Sequence, residues 1–157
     1  MSVAEQVSVT RDVAASPDAL WSMIADVTRM GEFSPENAGC EWIGDAREPV
    51  VGARFRGTNR NGKRKWKTIG KVVTAEPGRA FAFEVTSGPL KVSRWEYRFE
   101  PTDAGCRVTE TWIDQRGWIV TTLGKPVSGV GDRASHNRSG MESTLDRPAA
   151  VAEGARG

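Results

Sequence analysis

From Ala38 to Asp114 the chain changes polarity at every second residue and keeps its aromatic side chains on one parity, segment after segment. Neighbouring residues of a β-strand point to opposite faces, so a parity held through successive strands puts all of those rings on one side of one sheet. Phe55, Gly57 and Asn59 share a face against Arg54, Arg56 and Arg60, and Trp66, Thr68 and Gly70 oppose Lys65, Lys67 and Lys71. Phe81, Phe83 and Val85 align next, then Ser93, Trp95, Tyr97 and Phe99, then Val108, Glu110 and Trp112. Arg94, Glu96, Arg98 and Glu100 back the fourth set. An antiparallel sheet that is covered on one face and wet on the other has this pattern.

Turn residues cut the region into about six strands: Gly52, Asn61-Gly62, Pro77-Gly78, Ser87-Gly88-Pro89 and Asp103-Ala104-Gly105. Asn61-Gly62 predicts a two-residue type I′ hairpin, whose centres both need positive φ, and so direct pairing of 52–60 with 63–74. A further strand precedes them over Val3–Arg11, where Val3, Val7 and Val9 alternate with Ser8 and Thr10. Ser16, Pro17 and Asp18 are a helix start: a capping hydroxyl, a preset φ and a negative charge at the positive end of the dipole. Leu20, Ile24 and Val27 make its buried stripe, and Met30 to Phe33 a second short turn ended by Ser34-Pro35.

The aromatic face needs a cover, and the first helix is too short to supply it alone. Asp132 to Asp146 carries Ala134, Arg138, Met141 and Leu145 at helical spacing, which predicts a long closing helix. Pro148 should end or kink it near Arg147, although Ala149–Glu153 could resume it. Gly117–Gly131, apolar but broken by Gly124, Pro126 and Gly129, reads either as a mobile gate or as an ordinary docked connection. The expected fold is therefore α+β, a curved seven-stranded antiparallel sheet around a long C-terminal helix, with two short helices after strand 1. Residues 1–157 are expected to form one domain, with 148–157 open to being a disordered tail.

Composition removes several classes of function. Lys and Arg total 22 against 20 Asp and Glu, and a net charge of +2 does not mark a dedicated nucleic-acid or membrane binder. The single histidine, His136, rules out a His-rich metal site, and Cys40 and Cys106, without CxxC spacing, are expected to be free thiols. There is no GxSxG, and the loose GxGxxA match at Gly129–Ala134 is not followed by a second parallel strand. No metal or cofactor is expected. With no membrane-length apolar run and no secretory leader pattern, the chain reads as cytoplasmic.

The order strand, two short helices, six strands and long helix resembles the SRPBCC or START-like superfamily, the helix-grip fold. Ala15-Ser16-Pro17-Asp18-Ala19-Leu20-Trp21 is similar to that superfamily's first-helix opening, and 26–36 (DVTRMGEFSPE) to the polyketide cyclase/dehydrase and lipid transport branch. Residues 51–57 (VGARFRG), 75–83 (AEPGRAFAF) and 136–145 (HNRSGMESTL) agree, so the likeness covers Val3 to Leu145. Pro148 departs from the uninterrupted terminal helix of that branch. Members include lipid carriers, ring cyclases and proteins without an assigned activity, so the resemblance implies a ligand fold and leaves the chemistry open.

Glu110 is the most informative polar residue, because parity aims a carboxylate into an apolar interior where, unpaired, it is costly. Enclosure should raise its pKa, giving a hydrogen-bond donor or an acid/base group, whereas a strand-end ion pair would make it structural. With His136 and Tyr97 it forms the catalytic candidate set. The candidate ligand face comprises Phe55, Asn59, Trp66, Thr68, Phe81, Phe83, Ser93, Trp95, Tyr97, Glu110, Trp112, His136 and Met141. The same rings could instead simply fill a core, although inward Gly57, Gly70 and Ser93 suggest residual space. Arg60, Lys63, Arg64, Lys65 and Lys67 crowd one hairpin, reading either as an anion-binding patch or as a solvated edge that resists strand pairing.

Three functions follow in order of preference. The first is binding of a small hydrophobic molecule, lipid or polyketide-like, between sheet and closing helix. The second is a cofactor-free cyclase or dehydratase assisting ring closure and water loss by acid/base chemistry. The third is an adaptor using the basic hairpin. The partner expected is a small hydrophobic molecule, without nucleic acid or stable membrane insertion; the oligomeric state is open.

Overall fold

Turn chemistry sets the strand register. The structure, a computed structural model, describes residues 6–34, 37–116 and 133–154. It contains β1 (Gln6–Val13), α1 (Pro17–Ala25), a 3-10 turn (Val27–Arg29), α2 (Met30–Phe33), β2 (Asn37–Ile43), β3 (Arg54–Asn61), β4 (Arg64–Glu76), β5 (Ala80–Ser87), β6 (Leu90–Thr102), β7 (Gly105–Asp114) and α3 (Arg133–Gly154). The seven strands form one antiparallel sheet in the order β1-β7-β6-β5-β4-β3-β2, so the first strand closes the end of the meander. This is the helix-grip arrangement that the resemblance implies, built on the one-sided sheet that the parity pattern predicts. The Gly117–Gly131 segment, read as gate or connection, lies outside the described residues.

The β3–β4 hairpin differs from the expected turn. Asn61 pairs with Arg64, so the loop is Gly62-Lys63, and Gly62 alone takes positive φ, at 64°, as in a type II′ turn. Gly88-Pro89 does the same between β5 and β6, with Gly88 at φ 59°. The change moves each cross-strand partner by two residues, which preserves every face. Its consequence is that Phe55 pairs with Gly70, where a Cβ would lie 2.2 Å from the Phe55 ring.

The first helix begins as its sequence dictates, with Ser16 Oγ accepting from the Ala19 amide at 3.1 Å and Pro17 in its first turn. Leu20, Trp21, Ile24 and Ala25 are its buried residues, and Trp21 Nε1 donates to the Ala80 carbonyl at 2.8 Å. The closing helix α3 buries Met141, Leu145, Pro148, Ala149 and Ala152 along one stripe. It passes through Pro148 and reaches Gly154, so of the two expected courses, an end near Arg147 or a helix continued over Ala149–Glu153, the second is found. Pro148 forfeits one helical amide bond, a cost of about 3 kcal/mol in an exposed helix. Here its ring is fully buried, and the turn beyond it is held by Glu153, which accepts from the Ala14 amide at 3.0 Å.

Polar ties seat α3 along β1. Arg11 ion-pairs with Asp146 and, at 3.8 Å, with Glu153, while Arg147 reaches the Phe33 carbonyl at 3.4 Å. The main contacts of α3 are with β1, α1 and α2, with a lesser one to β7 and none of comparable extent to β3 through β6. The inner face of the middle strands is therefore not held by α3 itself. Cys40 and Cys106 are free thiols, as expected.

Candidate functional site

The register lays the inner face out in rows. One runs Val9, Glu110, Tyr97, Phe81; the next Val7, Trp112, Trp95, Phe83, Val72; the third Asp114, Ser93, Val85, Gly70, Phe55, Trp42. Every inward residue expected on β3 through β7 is on this one face. Phe81, Phe83, Phe55 and Trp42 form a continuous series of ring pairs with centroids 5.2–5.8 Å apart, and Tyr97 and Trp21 join it at Phe81, each at 6.4 Å. Such edge and tilted pairs are favourable contacts, so the rings fill much of their own space. The space expected beside Gly70 is taken by Phe55, and at Gly57 a Cβ would meet Thr68 Oγ1 at 3.3 Å.

Glu110 stands in the middle of this apolar surface. Its side chain is 1% exposed, between Val108 and Trp112 on its own strand, with Val9 and Tyr97 directly opposite on the two neighbouring strands. No cation pairs with it among the described residues; its partner is the Tyr97 hydroxyl, which donates to Oε2. Oε1 is buried without a hydrogen-bond partner among the described residues. Burial pushes the Glu110 carboxyl up to about 8, against the opposing effect of the Tyr97 hydrogen bond. Burial, and then the charge and hydrogen bond of Glu110, push the Tyr97 phenol well above its ordinary value. At neutral pH the pair is therefore an uncharged phenol and an uncharged carboxylic acid. With Oε2 accepting from the Tyr97 hydroxyl, Oε1 is the oxygen of the acid that has no partner among the described residues.

The other polar candidates are already satisfied by each other. Ser93 Oγ accepts from Trp95 Nε1 at 3.0 Å. Asn59 donates to Thr68 Oγ1 at 3.1 Å and accepts from Asn37 Nδ2 at 3.5 Å. This second network includes Cys40, which receives the Asn37 amide at 3.4 Å and lies 3.8 Å from Met30 Sδ, and whose thiol burial holds above its usual range. Sequence reasoning missed Asn37, Cys40 and Trp42: a bulge between Asn37 and Gly39 puts Asn37 out of step, while Cys40 and Trp42 alternate regularly beyond it on a short strand that carries a single ring. Trp66, opposite Asn59, is half-buried near the tip of its hairpin and makes no ring pair among the described residues. Met141 is buried on α3, whereas the side chain of His136 lies outside the described residues.

A separate open cleft of about 520 Å³ lies at the far end of the sheet, between Ser16-Pro17, the 102–105 turn and Ala152. None of the inner-face candidates lines it, so its size says nothing about the aromatic face. Among the described residues there is no cluster of three potential metal ligands, and no helix is long and apolar enough to cross a membrane.

A family model described as polyketide cyclase/dehydrase and lipid transport matches residues 4–153. A polyketide-cyclase-like protein from Corynebacterium glutamicum is 31% identical over 96% of this chain and 85% of its own, with a TM-score of 0.56. The di-domain aromatase/cyclase StfQ of the steffimycin pathway superposes with a TM-score of 0.75 at 16% identity, over 96% of this chain and 51% of that one. The major latex-like protein 151 of Panax ginseng gives 0.73 at 11% identity, over 96% and 99%. The last two likenesses concern the fold alone. No curated protein matches this chain.

Proposed function

This chain belongs to the polyketide cyclase/dehydrase and lipid transport family, and from that membership we propose that it binds a small hydrophobic molecule between the aromatic sheet face and α3. The observation that carries the reading is the Glu110–Tyr97 pair: a buried acid with one oxygen unpartnered among the described residues, set among Val9, Val108 and Trp112. A structural role would be served more cheaply by an apolar residue there, since an unsatisfied buried polar atom costs about 1–3 kcal/mol. A ligand carbonyl or hydroxyl oxygen accepting from Glu110 Oε1 removes that cost. The ligand class is thus largely apolar, uncharged at the anchored end, and an acceptor there. Two free thiols agree with a reducing compartment, the cytoplasm.

The test uses a polarity-sensitive naphthyl ketone, a neutral aromatic body with one carbonyl. Wild type should bind it with a blue-shifted emission at pH 6. Glu110→Leu should weaken binding about tenfold, the worth of one buried hydrogen bond, while Glu110→Gln, still a donor, largely retains it. Absence of a blue shift, or equal binding by Glu110→Leu, would refute the reading.

The same pair supports a second reading, a cofactor-free cyclase or dehydratase, in which Glu110 protonates a carbonyl oxygen and its conjugate base later accepts a proton. Turnover of poly-β-ketone mimics by wild type, lost in Glu110→Gln while probe binding persists, would establish catalysis. Binding without turnover leaves the carrier.

A further inference from the structure

The β3–β4 hairpin reaches past the rest of the sheet. β4 pairs with β5 only from Ile69, opposite Thr86, and β2 pairs with β3 only as far as Asn59, so Arg64–Thr68 is an arm with one free edge whose last two pairs, Arg60–Lys65 and Asn61–Arg64, are two-stranded. The outer face of β3 and β4 is cationic along its length: Arg54, Arg56 and Arg60 on one strand, Lys65, Lys67 and Lys71 on the other, with Lys63 at the turn. The register sets Arg54 directly opposite Lys71 and Arg60 directly opposite Lys65, like charges at a spacing that costs stability. Glu41 neutralises Arg56 at 3.2 Å, and Glu84, opposite Lys71, instead accepts from Gln115 at 3.1 Å. Among the described residues Arg54, Arg60, Lys63, Lys65, Lys67 and Lys71 have no ion pair. The other half of the outer face is balanced, with Arg94 on Glu96 at 2.7 Å and Arg107 on Asp12 at 2.8 Å.

Edge protection accounts for only part of this. Lys65 and Lys67 lie where β4 has a free side, but Arg54 and Lys71 sit on strands paired on both sides. Apolar groups accompany the charges. Trp66 is half-buried on the opposite face of the arm, and the β5–β6 tip at the same end of the sheet presents Pro89, Lys91 and Leu90, which is 48% exposed. Cations beside an exposed aliphatic tip and an amphipathic tryptophan match the chemistry of a lipid headgroup region, where each Lys or Arg contributes about 1 kcal/mol at an anionic surface. Nucleic acid would use the charges and leave Leu90 without a role.

We propose that the β3–β4 arm and the adjoining β5–β6 tip dock on an anionic phospholipid bilayer. Docking through this surface does not require a ligand on the inner face. Vesicle flotation of the full chain tests it, comparing phosphatidylcholine with a phosphatidylcholine–phosphatidylglycerol mixture at low and high salt. Wild type should float only with the anionic vesicles and detach at high salt. Lys65→Glu with Lys67→Glu should lower partitioning more than tenfold with an unchanged circular dichroism spectrum, and Leu90→Ser should lower it a few-fold. No flotation, equal flotation with neutral vesicles, full flotation of the charge-reversed variant, or displacement from vesicles by duplex DNA would each overturn it.

Discussion

Replacing Glu110 with glutamine keeps the shape of the buried acid and removes its titration. In the folded protein the carboxyl holds its proton up to about pH 8, whereas its ordinary value is 4.5. Between those limits the native state binds a proton that the unfolded chain has released, so stability falls as pH rises. The separation is 3.5 units, and at about 1.36 kcal/mol per unit the loss totals about 5 kcal/mol, of which about 3 is spent by pH 7. Above pH 8 both states are ionised and the loss levels off. Urea unfolding of wild type and Glu110→Gln at a series of pH values from 4.5 to 9 measures this directly, provided the m-value stays constant. The difference between the two proteins cancels every other titrating group. It should grow in favour of the variant by several kcal/mol across the window and then become flat. A difference that stays constant with pH would mean that Glu110 ionises normally, and the reasoning about its environment would be wrong.

Other substitutions probe the same architecture. Tyr97→Phe removes the hydrogen bond that lowers the Glu110 value, so the pH at which the stability loss levels off should move above 8. Gly70→Ala drives a Cβ to within 2.2 Å of the Phe55 ring and should cost about 1–3 kcal/mol by thermal unfolding, with Phe55→Leu in the same chain recovering part of it. Leu145→Ala opens a cavity on the buried stripe of α3 and should cost about 2–5 kcal/mol in the same assay.

Parity was readable because one face of the sheet is apolar and the other charged, so a register error of two residues, as at Asn61-Gly62, leaves every face intact. Asn61-Gly62 resembled a type I′ turn, but the Asn61–Arg64 pair moves the glycine to the first centre, where it alone needs positive φ. Alternation fails in β2 only at the Asn37/Gly39 bulge, which hides Asn37 from a period-two reading; Cys40 and Trp42 keep the period, but a short strand with one ring does not mark which face is inner. Pro148 left the helix end open because its cost is local, whereas the polar ties that carry α3 past it come from Ala14 and Phe33, far away in the sequence. Gly70 suggested empty space, yet a missing side chain is filled by whichever neighbour reaches it, and that neighbour is visible only in three dimensions. Glu110 is legible because burial of a carboxylate is rare enough to stand out; its partner Tyr97 shares the inward parity, but the bond between them depends on the β6–β7 register.

Ligand binding as proposed requires Glu110 to be an uncharged donor among apolar side chains. Carbon-13 NMR of the glutamate side-chain carboxyl, assigned by its loss in Glu110→Gln, reads that state without reference to stability or binding. A midpoint near pH 8, with the acid form's signal shifting when the neutral ketone probe is added, is the predicted result. A midpoint between 4 and 5, unmoved by the probe, would contradict it.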